Sequence, residues 1–358
     1  MTTPDHERPP AAATRAARVA LRLALMAAVA LAATATLRAA PPPRQQPAPR
    51  AAAARPKAPA IRQARLNGRS YLLMADVARF YGLAASRKGK AFVYSSPYSR
   101  LELTPDARTA TVSGTDVILA FAPMLHQQSL YLSQADFTAF IDPILRPSTL
   151  PRRTVRRIVI DAGHGGKDPG CKGSGTIEKD INLAIALKLA TTLQQRGYTV
   201  AMTRMSDLYL TLAQRVALAQ RFRPDLFISL HCNAAGAAVS GIEVYAATPK
   251  GTPASDSKAI SAKACAATPH DRTNAFVAYH TQRQLVSTLK LPDRASRRKR
   301  YTVIADLNAP AILVEMGFLT NATDRATLRT PARQSLVASA IANAVDLYRK
   351  AVAPKAAR

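Results

Sequence analysis

The sequence is poor in the residues that build several kinds of scaffold and binding surface. Its 358 residues include no tryptophan, and aromatic residues make up only 6%, which disfavours a surface that stacks nucleic-acid bases. Three cysteines are too few for a fold built on disulfide bonds. Beyond the N-terminal region, no uncharged apolar run reaches the roughly 18 residues that a membrane-spanning helix needs. A polytopic membrane protein is therefore excluded.

Acidic residues are also scarce, and this gives the chain a strongly basic balance. Asp and Glu number 22 against 50 Lys and Arg, for a formal net charge of +28. Such a charge predicts attraction to an anionic partner, which could be nucleic acid, a membrane surface or an acidic polymer. Hydrophobic residues make up 48%, so most of the chain can bury a core, and its length allows two domains.

The first forty residues are typical of an export signal. Arg15, Arg18 and Arg22 precede an uncharged apolar segment at 23–37, and a proline-rich stretch follows it. The apolar segment is shorter than the roughly 20 residues of a spanning helix. This favours a cleaved signal peptide over 1–40, with an uncleaved anchor as the alternative and the only membrane attachment that we expect. The protein is predicted to be periplasmic or secreted, in the cell envelope, and nucleic acid is not expected as its partner.

Two segments of different character follow the signal. Residues 41–61 form a predicted linker, because this basic stretch is rich in proline and alanine and has nothing to bury. Residues 62–150 are predicted to form a small α+β domain with short strands. A weak internal repeat relates the pattern at 71–80 to that at 131–140. Because this domain holds no cluster of chemically active residues, we expect a non-catalytic accessory module.

Residues 151–351 are predicted to form the main domain, followed by a tail at 352–358. Strand and helix patterns alternate from residue 158 onward, with apolar strands at 225–230 and 311–315 and a closing helix at 331–348. This alternation predicts an α/β fold with a mixed or mostly parallel sheet covered by helices on both faces. Residues 255–291 are predicted to be mostly helical, with a break near residues 268–269.

Four short segments beyond the predicted strands carry the residues that suggest chemistry. They are DAGHGG at 161–166, EKD at 178–180, SLHCNA at 229–234 and VEMGFLTN at 314–321. In an α/β sheet, functional groups gather at the carboxyl ends of strands. His164, His231 and Glu315 lie at such ends, and Glu178 can turn toward the same edge. Two histidines and one glutamate with an open position form the ligand set of a catalytic zinc site, where a further carboxylate serves as general base.

Each of these residues also has a purely structural interpretation. Taken singly, His164 could occupy a glycine-rich turn, His231 could be a core histidine, and Glu178 could begin a helix whose dipole favours a carboxylate. Glu315 is harder to explain in this way, because an unpaired carboxylate in a buried strand costs several kcal/mol. Their joint occurrence at strand ends favours a functional site.

These segments, together with MTR at 202–204, resemble the zinc-dependent N-acetylmuramoyl-L-alanine amidases, a family of cell-wall hydrolases. The resemblance covers about residues 155–350. It implies zinc ligands at His164, Glu178 and His231 and a catalytic glutamate at Glu315. The implied reaction is hydrolysis of the amide between N-acetylmuramic acid and L-alanine in peptidoglycan, for cell-wall remodelling or daughter-cell separation. Residues 62–150 more loosely resemble the small N-terminal domain of copper amine oxidases.

The resemblance also implies partners. Peptidoglycan is the expected substrate, and a protein activator is a further predicted partner. Some members of the family carry, in the region that corresponds to residues 249–300, a helix that blocks the zinc until a partner removes it. This stretch aligns with no family motif, so its role stays open.

Three other interpretations are kept beside this one. Another zinc peptidase or deacetylase of the envelope would keep the ligands and change the substrate. A non-catalytic peptidoglycan-binding protein would retain the fold but would have no need of Glu315. A nucleic-acid binder rests only on the charge, and its best segment is 294–300. We expect that segment to be a solvated loop or a contact to anionic glycan, peptide carboxylates or lipid.

Two details of the predicted site are left as alternatives. Cys171 and Cys232 stand where the family usually has a small residue, and both flank loops that carry predicted ligands. They are either two small buried residues, which we favour, or a disulfide that braces the site. Asp161 or Asp180 is predicted to orient a ligand histidine, as metal-bound histidines usually require.

Overall fold

The computed structural model describes residues 60–354. The predicted signal peptide at 1–40, all but the last two residues of the predicted linker, and the end of the predicted tail lie outside the described residues. Within the described part of the chain, no helix combines the length and the apolar character needed to cross a membrane.

Short strands dominate the described chain up to residue 150. They are β1 (Gln63–Leu66), β2 (Arg69–Leu73), β3 (Ala84–Lys88), β4 (Ala91–Ser95), β5 (Arg100–Leu103), β6 (Thr109–Val112), β7 (Thr115–Ile118), β8 (Met124–His126) and β9 (Ser129–Ser133). The helices of this part are α1 (Met74–Tyr81), α2 (Gln134–Asp136) and α3 (Asp142–Leu145), with a π-helical turn at Phe137–Ile141 and a 3-10 turn at Pro147–Thr149.

Strands and longer helices alternate after residue 150. The strands are β10 (Arg157–Ala162), β11 (Lys172–Gly173), β12 (Thr176–Ile177), β13 (Thr199–Met202), β14 (Leu226–Asn233), β15 (Ile242–Ala246), β16 (Asp293–Arg298) and β17 (Ala311–Phe318). The helices are α4 (Glu178–Gln195), α5 (Leu212–Phe222), α6 (Asp271–Leu289), α7 (Thr302–Ala305), α8 (Ala322–Leu328) and α9 (Pro331–Val352), with a 3-10 turn at Thr268–His270.

Six of these later strands form a mixed, mostly parallel sheet in the order β13-β10-β14-β17-β15-β16. β15 runs antiparallel to β17, whereas the other neighbours in this order are parallel. The central strands read as nearly continuous apolar runs because helices cover both of their faces. The predicted α/β fold class is confirmed.

The alternation of side chains along β10 sends them into two separate cores. Ile158 and Ile160 pack with residues of α4, α6 and α9, whereas Val159 packs with residues of α5 and α7. All three side chains are buried. Helices therefore cover both faces of the sheet, and the carboxyl ends of β10, β14 and β17 meet at one edge.

The residues before 150 extend the same sheet. Strands β3 to β7 form an antiparallel meander, and β7 pairs in parallel with β16 through Val117 and Ser296. The remaining strands form a separate sheet in the order β1-β2-β9-β8. Here the two copies of the internal repeat meet, because β2 and β9 pair with Leu72 opposite Leu132.

The core of this first part also continues into the second. Ala275 and Tyr279 of α6 belong to the same apolar cluster as the strands before residue 150. The Tyr279 hydroxyl donates to the carbonyl of Val112 at 2.9 Å. Arg298 of β16 forms a buried ion pair with Asp136 of α2 at 2.8 Å. The sheet, an apolar cluster and a buried ion pair therefore all extend across the boundary that the sequence predicts near residue 150.

Two predictions for the region 255–300 are confirmed only in part. Only Asp271–Leu289 is an α-helix, and the irregular segment before it is fixed by Arg108, which donates to the carbonyls of Ala254 and Ser257. Of the two alternatives for the basic segment 294–300, the solvated loop is wrong, because most of the segment forms β16. Partners far away along the chain decide both outcomes, and the local sequence does not indicate them.

Candidate metal centre and active site

The four predicted site residues lie together at the carboxyl edge of the sheet. His164 follows β10 directly, Glu178 is the first residue of α4, His231 lies near the end of β14, and Glu315 lies in β17. β14 and β17 are parallel neighbours, with His231 opposite Glu315. The strand order therefore brings together residues that are up to 151 positions apart in the chain (315 minus 164).

The Glu178 carboxylate lies between the two imidazole rings. Its Oε1 is 3.2 Å from His164 Nε2 and 2.9 Å from His231 Nδ1. One ligand atom from each of the three residues lies within 4.8 Å of the others, so they could hold a metal ion. Nitrogen and carboxylate ligands of this kind suit zinc.

Backbone and side-chain donors fix the Glu178 carboxylate in this position. Its Oε2 accepts from the backbone N–H of Cys171 at 2.9 Å, and its Oε1 accepts from the N–H of Cys232 at 3.1 Å. The side-chain amide of Asn182, one helical turn further along α4, donates to the same Oε1 at 3.1 Å. The carboxylate is therefore held ready before any metal binds.

Asp168, which the sequence interpretation missed, orients one of the histidines. Its Oδ2 lies 2.8 Å from His164 Nδ1, which leaves the Nε2 facing Glu178. The predicted candidates do not take this role: Asp161 binds Arg215 at 2.7 Å, and neither Asp161 nor Asp180 contacts a ligand histidine among the described residues. An acidic residue four positions after the histidine, in the same glycine-rich loop, was the signal that could have identified Asp168.

Glycines allow the loops to approach the ligands closely. A Cβ atom at Gly163 would lie 2.2 Å from His231 Cε1, and one at Gly170 would lie 2.5 Å from Glu178 Oε2. Both distances are far below van der Waals contact. A larger residue at either position would push a ligand out of place, so these two positions require glycine.

Hydrogen bonds and charges within the cluster shift the pKa values of its residues. Burial lowers the pKa of His164, but its hydrogen bonds with Glu178 and Asp168 and their charges outweigh this and raise it to about 9. Burial raises the pKa of Glu178, yet the bonds from His164 and His231 bring it well below its usual range. The carboxylate is thus ionised, and a divalent cation would compete with protons on the histidines.

Glu315 is the group in this cluster without a stabilising partner. Its side chain is buried, and its Oε2 has no hydrogen-bond partner among the described residues. Burial raises its pKa to about 7, opposed by the charge of His231 and reinforced by those of Glu178 and Glu243. A carboxylate with a pKa near the working pH is suited to general acid–base chemistry.

Glu243, a second residue that the sequence interpretation missed, lies opposite Glu315 on β15. Its own charge is balanced by Arg294 at 3.0 Å and Arg297 at 3.4 Å, and the hydroxyl of Tyr245 donates to it. A charged residue inside an otherwise apolar strand was the available signal. Two neighbouring buried carboxylates are tolerable here because one of them is paired.

An open cleft of about 440 Å³ lies beside the cluster. Its lining includes His164, His231 and Glu315, and it continues over Tyr209 to Leu212 and over Arg300 to Val303. Residues 249–299, all of them described, contribute nothing to this lining. In this structure they therefore do not form a helix that covers the predicted ligands.

The three cysteines of the chain are free thiols. The Cys171 thiol donates to the carbonyl of Cys232 at 3.3 Å, and Cys232 is buried beside Asn182. Burial is the main cause that raises the pKa of Cys171 to about 12. The disulfide alternative is therefore not realised here, and the two residues act as small side chains in the support of Glu178.

Comparisons with known proteins agree with this geometry. A family model described as N-acetylmuramoyl-L-alanine amidase matches residues 158–346, just over half of the chain. The uncharacterized protein YqiI of Bacillus subtilis is 36% identical over 193 residues, which are 54% of this chain and 84% of YqiI.

Two amidases show further similarity. The N-acetylmuramoyl-L-alanine amidase LytC of Bacillus subtilis is 32% identical over 53% of this chain, although the match covers only 35% of LytC. The N-acetylmuramoyl-L-alanine amidase AmiA of Salmonella typhimurium is 27% identical over 57% of this chain and 79% of AmiA. The family match includes all four predicted site residues, and residues 62–150 lie outside it.

Proposed function

The chain belongs to the N-acetylmuramoyl-L-alanine amidase family, and from this premise we propose that it hydrolyses peptidoglycan with a zinc ion held by His164, Glu178 and His231. The bond cleaved is the amide between N-acetylmuramic acid and L-alanine, and Glu315 is the general base. The observation that carries the proposal is the Glu178 carboxylate placed between two imidazoles, next to a buried and unpartnered Glu315.

The residues present fit such an ion. His164 Nε2, His231 Nδ1 and Glu178 Oε1 face one another, Gly163 and Gly170 leave room around them, and Asp168 fixes the ring of His164. When bound, zinc supplies a Lewis acid for the amide carbonyl and lowers the pKa of water. With three protein ligands, the site keeps the open position that catalysis requires.

Proton transfer is assigned to Glu315. The buried carboxylate, with its pKa raised to about 7, takes a proton from the attacking water. It then delivers this proton to the nitrogen of the leaving L-alanine, because the amine must be protonated as the amide bond breaks. No described residue donates a hydrogen bond to Oε2, so no protein group competes with these transfers at that atom.

The setting of the reaction forms part of the proposal. The family implies the cell envelope, and the predicted signal at 1–40 supports export to the periplasm or the exterior. Residues 62–150 are proposed to be a non-catalytic accessory module similar to the N-terminal domain of copper amine oxidases, and a protein activator is a further proposed partner. Nucleic acid is not proposed, because the charges of Arg294, Arg297 and Arg298 are balanced inside the protein.

The test is mass spectrometry of purified peptidoglycan after digestion, with and without a chelator. We expect free stem peptides that begin with L-alanine, and their loss when metal is removed. Glu315→Gln should keep the metal and lose about 10²- to 10⁴-fold in rate, whereas His231→Ala should also lose metal. Peptide fragments with another N-terminus, or deacetylated glycans, would instead support the alternative zinc peptidase or deacetylase. Full activity in Glu315→Gln would contradict the assignment of the base.

A further inference from the structure

Two arginines line the catalytic cleft, and they differ in how their charges are balanced. Arg215 donates to the carboxylate of Asp161 at 2.7 Å, so its charge is compensated within the protein. Arg300 lines the same cleft from the segment after β16 and forms no ion pair with any described residue. Its neighbour Lys299, in contrast, pairs with Asp256 at 2.6 Å. Arg300 is thus the arginine of the cleft lining whose charge no acidic side chain of the described residues pairs.

The Arg300 guanidinium is also held in place. Its Nε donates to the carbonyl of Thr248 at 3.2 Å, and its Nη2 donates to the carbonyl of Lys263. These neutral acceptors fix the orientation of the group without cancelling its charge. Burial raises the pKa of Asp271 to about 7, and the charge of Arg300 lowers it by a smaller amount. Asp271 and Arg300 form no ion pair. Nη1 makes no hydrogen bond to a described residue.

We infer that Arg300 binds a free carboxylate on the peptide part of the substrate. A fixed planar guanidinium matches the geometry of a carboxylate and binds it strongly. In the scissile amide, the lactyl carboxyl is already consumed, so the neutral sugar offers no such group. The free carboxylates of the substrate lie on its peptide. This inference rests on the proposed function, and it makes Arg300 a residue that determines specificity for the leaving peptide.

Other residues of the cleft lining indicate where the glycan part of the substrate would lie. Tyr209 and Leu212 line another part of the cleft and are 38% and 53% exposed. Lys167 Nζ lies 4.7 Å from the centre of the Tyr209 ring, so Leu212 is the more purely apolar of these two side chains. The inferred arrangement therefore places the peptide along Arg300 and the glycan on the side of the cleft lined by Leu212.

The experiment uses two synthetic muramoyl peptides that share the scissile amide. One carries free carboxylates on the residue after L-alanine, and the other carries the corresponding carboxamides. The zinc-loaded full chain should prefer the carboxylate peptide by about 10- to 100-fold in kcat/KM, as expected for loss of a charged hydrogen bond. Arg300→Gln should remove this preference by slowing only the carboxylate peptide, and should bind zinc normally. Lys299→Gln, which removes a charge one residue away and outside the cleft, should keep the preference.

The outcomes separate the inference from the proposed function. If Arg300→Gln slows both peptides equally, its role is structural support of the cleft and the inference is wrong. If the wild-type protein hydrolyses both peptides at the same rate, the inference is also wrong while the proposed function stands. If the zinc-loaded wild-type protein cleaves neither peptide at this amide, the proposed function fails and the inference fails with it.

Discussion

At the scale of single residues, His280 on α6 shows how burial changes the pKa of a side chain. Its ring packs against Phe276 at 4.2 Å and against Tyr279 at 5.0 Å between centroids. Burial, with a smaller effect from the charge of Arg283, lowers the pKa of His280 to about 4. The folded protein therefore keeps this histidine neutral at pH values where an unfolded chain, with a histidine pKa near 6.5, binds a proton.

This environment predicts a pH-dependent loss of stability. Because the folded pKa of His280 is depressed, its contribution is complete above about pH 6.5 and is lost as pH falls toward 4. Replacing His280 with Gln should remove about 2 kcal/mol of the decrease in unfolding free energy between pH 7.5 and 5.0. Urea unfolding at the two pH values measures this. His126→Gln, at an exposed histidine, is the matched control, and equal pH dependence in wild type and His280→Gln would contradict the prediction.

The candidate site illustrates which residues a sequence can and cannot indicate. His164, His231 and Glu315 could be singled out because each directly follows or ends an apolar run, and the carboxyl ends of parallel strands meet. Asp168 was missed because its role depends on a loop that folds back onto His164, and no periodicity encodes such a turn. Glu243 was missed because its pairing partners lie on β16, 51 and 54 residues further along the chain.

At the scale of elements, β16 is the strand on which the charge pattern was most misleading. Its run of basic residues predicts a solvated segment, yet Arg298 is 3% exposed. The residue that makes this possible is Asp136, 162 positions earlier, whose carboxylate also accepts from the backbone of Ala120 and Phe121. Sequence alone cannot pair charges over such a distance, so the strand and its place beside β7 were not predicted.

Breaking the buried pair on β16 should cost far more stability than breaking its exposed neighbour. Asp136→Asn leaves the Arg298 charge buried without compensation, so the free energy of unfolding should fall by about 3–5 kcal/mol. Asp256→Asn breaks the ion pair with Lys299, and the two side chains are 50% and 40% exposed, respectively. This substitution should lower the free energy of unfolding by less than about 1 kcal/mol. Urea denaturation of the three proteins compares the two costs. Similar small losses in both variants would show that β16 does not depend on Asp136.

At the scale of the whole molecule, strands β3 to β7 of the proposed accessory module and six strands of the part that matches the amidase family share one sheet of eleven strands. Three kinds of contact hold them together: the β7–β16 pairing, the apolar cluster that includes Ala275 and Tyr279, and the ion pairs of Arg272 with Asp142 and Arg298 with Asp136. β16 leads directly into Arg300 at the cleft. Residues 62–150 contribute nothing to the cleft lining, but through β16 they support the segment that forms one part of it.

This sharing predicts that the catalytic part does not fold without the module. A chain that begins at Arg152 would expose the β16 edge and the apolar surface of Ala275 and Tyr279, and would leave Arg298 buried near the new surface without its partner. Unpaired sheet edges and apolar patches of this kind lead to aggregation. A chain that begins at Ala60 keeps every one of these contacts and is the matched control.

We expect the chain from Ala60 to unfold in one cooperative thermal transition, to bind zinc and to cleave muramoyl peptides. The chain from Arg152 should give aggregates or a protein without such a transition, even though it retains His164, Glu178, His231 and Glu315. Calorimetry and zinc content, measured on both proteins after the same purification, distinguish the two results. A soluble, zinc-binding chain from Arg152 with normal turnover on the soluble peptide would show that the module is dispensable and that the shared sheet is not required for the fold.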